Sequence, residues 1–451
     1  MTEIDRRTGP IARLLKVASK IEPNEVRAVV LSFAYLFCVM AGYYILRPVR
    51  DAFAVAMPEG EVENLFVVVF LIMLLIIPIY GFINSRLKLS TLLPWIYIFF
   101  ALNLIVFYFM LESNPESLWT ARIYFVWVSV FNLFVVSVFW SLMADLFSKE
   151  QSKRLFGFIA GGASTGAIAG PFIVTVLISP EMYGLVFEPI LTPNLLLISA
   201  GFLLVPILII RSLVKHKNEF QGTNKEDDDM QQAIGGNPFA GVSLFFKSPY
   251  LLGIGLFIVL YTAMSTFVWL QLVDLIKAEN MSREETTALW AIMDLVVNIL
   301  AVVTQLFGTA RLASRFGLVV TLAIIPVFMI AGFAVVALVP LLPVLIGLQI
   351  LRRAGNYAIT RPGREMLFTV VDKESKYKAK NAIDTAVYRG GDAATAQLYN
   401  ALERVLNFSG IAIIGALLAA IWFSIAVFLG RSYERKSVEE PADADTKALQ
   451  G

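Results

Sequence analysis

Uncharged stretches of about twenty residues recur along the whole of this chain, and no other feature restricts its fold so tightly. About 20 apolar residues wound as a helix cross the hydrocarbon core of a bilayer. Inside that core only a helix or a closed barrel satisfies its own backbone polar groups. The first set of stretches lies at 28–46, 64–85, 89–111, 123–144, 155–179 and 189–210. A second set follows at 248–273, 286–310, 316–339, 341–359, 381–402 and 405–430, with charges breaking into several of its members. The run from 316 to 351 is too long for one helix, and Pro340 and Pro343 mark the turn that divides it. The expected architecture is an all-α membrane protein with twelve transmembrane helices in two six-helix halves. With 58% apolar residues, 16% charged residues and a mean hydropathy of +0.72 over 451 residues, the chain is neither a soluble enzyme nor a single-anchor receptor.

The 37 Lys and Arg nearly cancel the 35 Asp and Glu, and a net charge of +2 argues against nucleic-acid binding through bulk charge. Where the charges fall is more informative. Arg6, Arg7, Arg13 and Lys16, then Arg86 and Lys88, then Lys149, Lys153 and Arg154 fall in alternate loops. The same side receives the segment 215–247, Arg311 and Arg315, the loop 361–380, and Arg431, Arg435 and Lys436. The opposite loops carry Glu61, Glu63, Glu112, Glu116, Glu181 and Glu284. The positive-inside rule then predicts both termini in the cytoplasm. The expected divisions are a cytoplasmic N-terminal segment 1–27, a first half 28–212, a cytoplasmic linker 213–247, a second half 248–430 and a tail 431–451. Residues 1–27 have no short apolar core before a small-residue cleavage site, so no removable signal peptide is expected. An echo at an offset of 224, with Lys149-Glu150 opposite Lys373-Glu374, Ile159 opposite Ile383 and Gly166 opposite Gly390, fits a duplicated six-helix unit.

The single cysteine, Cys38, falls inside an apolar run and cannot form an intramolecular disulfide. The single histidine, His216, lies between Lys215 and Lys217 and is expected to be a solvated loop residue. No metal site and no cofactor are expected from this inventory.

Charges near mid-membrane cost roughly 2.5–3.5 kcal/mol each on insertion scales and mark cavities and function. Span ten carries Arg352 and Arg353, with Asn356 and Tyr357 just below them. Span eight places Asp294, Asn298 and Gln305 along one face. In span eleven Lys380, Asp384, Tyr388 and Asp392 recur every four residues, with Arg389 beside them. Arg47, Arg50 and Asp51 stand at the end of span one, either as part of a gate or as an interfacial flank. Glycines cluster at Gly161, Gly162 and Gly166 and again at Gly390 and Gly391, where close helix packing is the simplest reading. The planar fork of arginine binds phosphate or carboxylate in two-pronged fashion, so a small anionic solute suits this set. Mutual neutralisation of the same acids and bases is the competing explanation.

Three segments resemble the ATP/ADP translocases of plastids and obligate intracellular bacteria. Tyr43-Tyr44-Ile45-Leu46-Arg47-Pro48-Val49-Arg50-Asp51 is similar to their first-helix Tyr-Thr-Ile-Leu-Arg-Asp-Thr-Lys-Asp. Phe139-Trp140 through Ala144-Asp145, followed by Lys153-Arg154-Leu155-Phe156, resembles their fourth-helix Phe-Trp-x-x-Ala-Asn-Glu and the Lys-Arg-Phe after it. Arg364-Glu365-Met366, the run Lys378 to Asp384 and Arg389-Gly390-Gly391-Asp392 resemble Lys-Glu-Met, Lys-Gly-Lys-Ala-Ala-Ile-Asp and Arg-x-Gly-Lys-Ser. The family's transport residues fall on Arg50, Asp145, Glu365 and Asp392. The first three keep their charge, while Asp392 reverses that of the family's lysine.

The resemblance implies a major-facilitator-like fold and a secondary transporter of nucleotide type, an antiporter in the bacterial inner membrane. Alternating access, a small anionic substrate, a lipid surround, a monomeric state and no nucleic acid are the corresponding expectations. The substrate set is Arg47, Arg50, Asp145, Asp294, Asn298, Arg352, Arg353, Asn356, Glu365, Lys380, Asp384, Tyr388, Arg389 and Asp392. A carrier of another anion, such as a phospholipid, sugar phosphate or carboxylate, and a non-transporting accessory protein are the readings left open.

Overall fold

The computed structural model describes residues 21–84, 89–220, 248–307, 309–371 and 387–448. These form helices joined by short connections, and no strand occurs among them. In chain order the long helices are α1 (Val26–Ala56), α2 (Glu61–Asn84), α3 (Leu89–Ser113), α4 (Leu118–Leu146), α5 (Lys149–Ile178) and α6 (Asn194–Lys215). They continue with α7 (Pro249–Ala278), α8 (Arg283–Phe307), α9 (Thr309–Leu338), α10 (Leu342–Gly355), α11 (Tyr388–Glu403) and α12 (Phe408–Ala448). Among the described residues nine helices are long and apolar enough to cross a membrane. Their outward faces carry side chains such as Trp95, Leu208 and Leu338, as lipid contact requires.

Local chemistry sets the boundaries. Ser148 and Gln151 form a reciprocal capping box at the start of α5. Ser117 caps α4, and Ser248 caps α7 with Pro249 in the first turn. α9 ends at Leu338 and α10 begins at Leu342, so the turn expected at Pro340 and Pro343 forms there.

Three expectations change. The first apolar stretch stops at residue 46, but α1 runs on through Pro48 to Ala56. Arg47, Arg50 and Asp51 thus lie inside a helix, where they are paired with one another and with Asp294. α12 continues as helix well past residue 430. His216 is the C-cap of α6: its backbone N–H and its ring Nδ1 both meet the Ser212 carbonyl, the ring at 2.8 Å. Cys38 is buried and unbonded to another sulfur.

Two compact units are present. The first holds the described residues of Met1–Ala54, Leu75–Gln232 and Ser282–Leu295, and the second those of Val55–Leu74, Ala233–Met281 and Val296–Gly451. In the first unit α1 is the hub. Gly162, Gly166 and Gly170 of α5 press on the α1 backbone so closely that a Cβ at Gly166 would lie 2.5 Å from the Phe37 carbonyl oxygen. Ser199 of α6 donates to the Gly42 carbonyl at 3.0 Å, and the Tyr35 and Tyr97 hydroxyls join α1 to α3 at 2.8 Å.

In the second unit α7 takes the corresponding place. Gly391 of α11 packs on Thr262, and Tyr399 donates to Asp274 at 2.6 Å. Phe257 of α7 meets Trp422 of α12 with ring centroids 5.5 Å apart. α9 lies along α12 and α10, with Gly415 against Phe333 and Gly355 against Ile325.

Candidate functional site

Four charged residues of the first unit form a charge network between α1 and α8. Arg50 donates through Nε and Nη2 to Asp51 Oδ1 at 2.9 and 2.5 Å. Arg47 lies 3.9 Å from Asp51 and reaches across to α8, where its Nη1 is 3.5 Å from Asp294 Oδ1. Both carboxylates are about 1% exposed, a position tolerable only with close counter-charges. Tyr44 and Phe125 stack on Arg47 and Arg50, and the Tyr124 hydroxyl donates to the Leu46 carbonyl at 3.1 Å. In these pairs two guanidiniums thus meet two carboxylates.

The second unit is different. Arg352 and Arg353 are each 3% exposed. Arg352 donates through Nε and Nη2 to Gln349 Oε1 at 3.1 and 2.8 Å. Tyr261, Tyr357 and Tyr388 all lie within electrostatic reach of Arg352, and Tyr261 and Tyr388 stand 6.2 Å apart. Arg389 stacks on Tyr388 and lies 3.9 Å from Asp392. Asp392 accepts from the Thr266 hydroxyl at 3.4 Å and feels both Arg389 and Arg352. Among the described residues, Arg352 and Arg389 therefore both act on Asp392, with Arg353 buried beside Arg352.

The structure brings Arg47, Arg50 and Asp294 together, and separately Arg352, Arg353, Tyr388, Arg389 and Asp392. Asn298 is buried one turn beyond Asp294, in the part of α8 that belongs to the second unit. Asn356 opens a π-helical turn directly after α10. Asp145 stands apart. It is exposed at the C-terminal end of α4, near Lys217. Tyr124 is level with Leu46, so Asp145 lies about 30 Å farther along α4 at 1.5 Å per residue. Glu365 is half-exposed and paired with Arg364 at 3.2 Å. Lys380 and Asp384 lie outside the described residues.

Sequence reasoning missed Gln349, Tyr261 and Thr266. Gln349 was within reach, three residues before Arg352 on an otherwise apolar helix. Nothing in the uncharged run of α7 distinguishes Tyr261 or Thr266. It also missed the partner of Arg154, which lies 2.8 Å from the buried Glu25 at the foot of α1.

Buried arginine clusters inside a polytopic helical bundle are what a membrane transporter presents to a charged solute. Residues 31–362 match the family model of the Major Facilitator Superfamily, and the chain belongs to that superfamily. It is a divergent relative of ADP,ATP carrier proteins. It is 22% identical to ADP,ATP carrier protein 1 of Chlamydia trachomatis serovar D over 93% of this chain and 90% of that one. Identity to the Chlamydia pneumoniae protein of that name is also 22%, over 97% and 98% of the two chains. Among solved structures, a bacterial homologue of the iron transporter ferroportin matches with a TM-score of 0.63 at 14% identity, covering 91% of this chain and all of the other. The nucleoside transporter NupG matches with a TM-score of 0.52 at 16% identity, over 92% and 99%.

Proposed function

We propose that this chain is a secondary active transporter that moves an anionic, phosphate-bearing solute of nucleotide type across a bacterial inner membrane by alternating access, with exchange as its mode. The two six-helix halves 28–212 and 248–430 are its moving parts, both termini are cytoplasmic, and the working unit is a monomer. The observation that carries this reading is that, among the described residues, the two guanidiniums of Arg352 and Arg389 both act on the single carboxylate of Asp392 while Arg352 donates only to the neutral Gln349 amide. Burial makes a guanidinium so held costly unless an anion completes it. The paired charges of Arg47, Arg50, Asp51 and Asp294 serve to hold α1 to α8. The relatives named ADP,ATP carriers support a nucleotide, and the tyrosines around Arg352 offer faces for a planar ring.

A second reading keeps the fold and changes the cargo. Asp392, held by Thr266 and Arg389, stands where the resembled family has lysine. This favours a different anion, such as a phospholipid, a sugar phosphate or a carboxylate.

A thermal-shift screen of purified protein against ATP, ADP, sugar phosphates, dicarboxylates and phospholipids, followed by uptake into liposomes, separates the two. Stabilisation and uptake of nucleotides support the first. A response only to another anion supports the second, and silence toward every anion removes both.

A further inference from the structure

Directly after the arginine pair, α10 leaves its α-helical register. Asn356–Thr360 form a π-helical turn, closed by the Arg361 backbone N–H donating to the Asn356 carbonyl, before Arg361–Leu367 resume the α-helix. A π-turn holds one residue more than the α-turn it replaces, and an isolated one persists only where its surroundings favour it. Since each α-helical residue turns the chain by about 100°, collapse of the π-turn would rotate Arg352 and Arg353 by about that angle against the segment that follows.

A group from another helix reaches into the turn. Gln305 of α8 donates through Nε2 to the Tyr357 carbonyl at 3.0 Å. The flanks fit the same register: Gly355 backs onto Ile325 of α9, and Gly363 onto Thr321 and Leu322. Side chains at either glycine would press into α9, so the helix is received there on its two bare faces.

We propose that Gln305 is a positioning residue for the arginine cluster: by its bond to Tyr357 it holds the π-turn of α10 and fixes the rotation at which Arg352 and Arg353 stand. Gln305 touches no substrate in this scheme. Its effect on anion affinity rests on the reading above, whereas its effect on helix register does not.

The test uses the full chain with Cys38 replaced by alanine and one reporter cysteine at a time, Leu351→Cys at an exposed position or Ala354→Cys at a buried one. Each cysteine carries a nitroxide, and oxygen dissolved in the lipid should relax the label at Leu351 on the lipid-facing side several-fold more than the one at buried Ala354. Gln305→Met, nearly isosteric but without the donor, should erase most of that contrast. Gln305→Lys, which keeps an N–H donor of sufficient reach, should restore it. Unfolding midpoints of the unliganded variants confirm that each is folded, and Gln305→Leu replaces Gln305→Met if the latter is not. An unchanged contrast in the donorless variant overturns the proposal, whatever happens to binding. In parallel, ATP and pyrophosphate serve as probes, and Gln305→Met should bind them at least tenfold more weakly. A lost contrast together with a wild-type protein that ignores both probes leaves the positioning role standing and sinks the anion reading instead.

Discussion

Arg47 has two carboxylates beside it, at 3.5 and 3.9 Å, whereas Arg352 donates twice to a neutral amide. The same side chain therefore has opposite liabilities in the two places. Removing the Arg47 charge takes a close counter-charge from the buried Asp294, and breaking a buried pair costs about 3–5 kcal/mol. Arg47→Gln should lower the thermal unfolding midpoint accordingly, and Arg47→Gln with Asp294→Asn should recover at least half the loss. Simple addition of the two single effects would show that the pair is not coupled. Arg352→Gln removes an unfavourably buried charge, so the free protein should unfold at the same temperature or higher. Its stabilisation by anion should vanish, because linkage requires the site. A retained ligand shift in Arg352→Gln would take this residue out of the site.

Among the helices, α5 shows how a composition becomes a contact. Gly162, Gly166 and Gly170 recur every four residues and let α5 lie against the backbone of α1, while Gly157 on the same helix meets nothing within 4 Å. Gly166→Ala should therefore cost about 1–3 kcal/mol by overpacking. Gly157→Ala should be neutral or slightly stabilising, since alanine is the better helix former. Equal midpoints for the two variants, measured by thermal unfolding in detergent, would show that α5 does not need this fit.

The sequence displayed this packing plainly, because small residues in a lipid-soluble helix have few other uses. It also displayed Arg352, Arg353, Arg389 and Asp392, since charge inside an apolar run stands out. It concealed the length of α1, because counting uncharged residues stops at Arg47 whether or not the helix does. It concealed Tyr261, Thr266 and the π-turn as well. An aromatic or a threonine in an apolar run carries no mark of what it faces, and a change of register lies in the backbone rather than in any residue type.

At the scale of the whole molecule, the proposed topology places both chain ends on one side. A fluorescent protein fused after Gly451 should light up in the bacterial cytoplasm, and alkaline phosphatase at the same position should stay inactive. The reverse result would invert the positive-inside reading.

α12 has a mechanical consequence at this scale. Its 41 residues extend about 60 Å at 1.5 Å per residue, roughly twice the thickness of a hydrocarbon core. The stretch ahead of Pro441 works as a pointer: a tilt of about ten degrees within the bilayer displaces Glu440 by about 3 Å, given some 15 Å of helix beyond Gly430. A spin label or fluorophore near Glu440 would therefore magnify small motions of the second unit into distances that spectroscopy resolves, without touching the buried arginines.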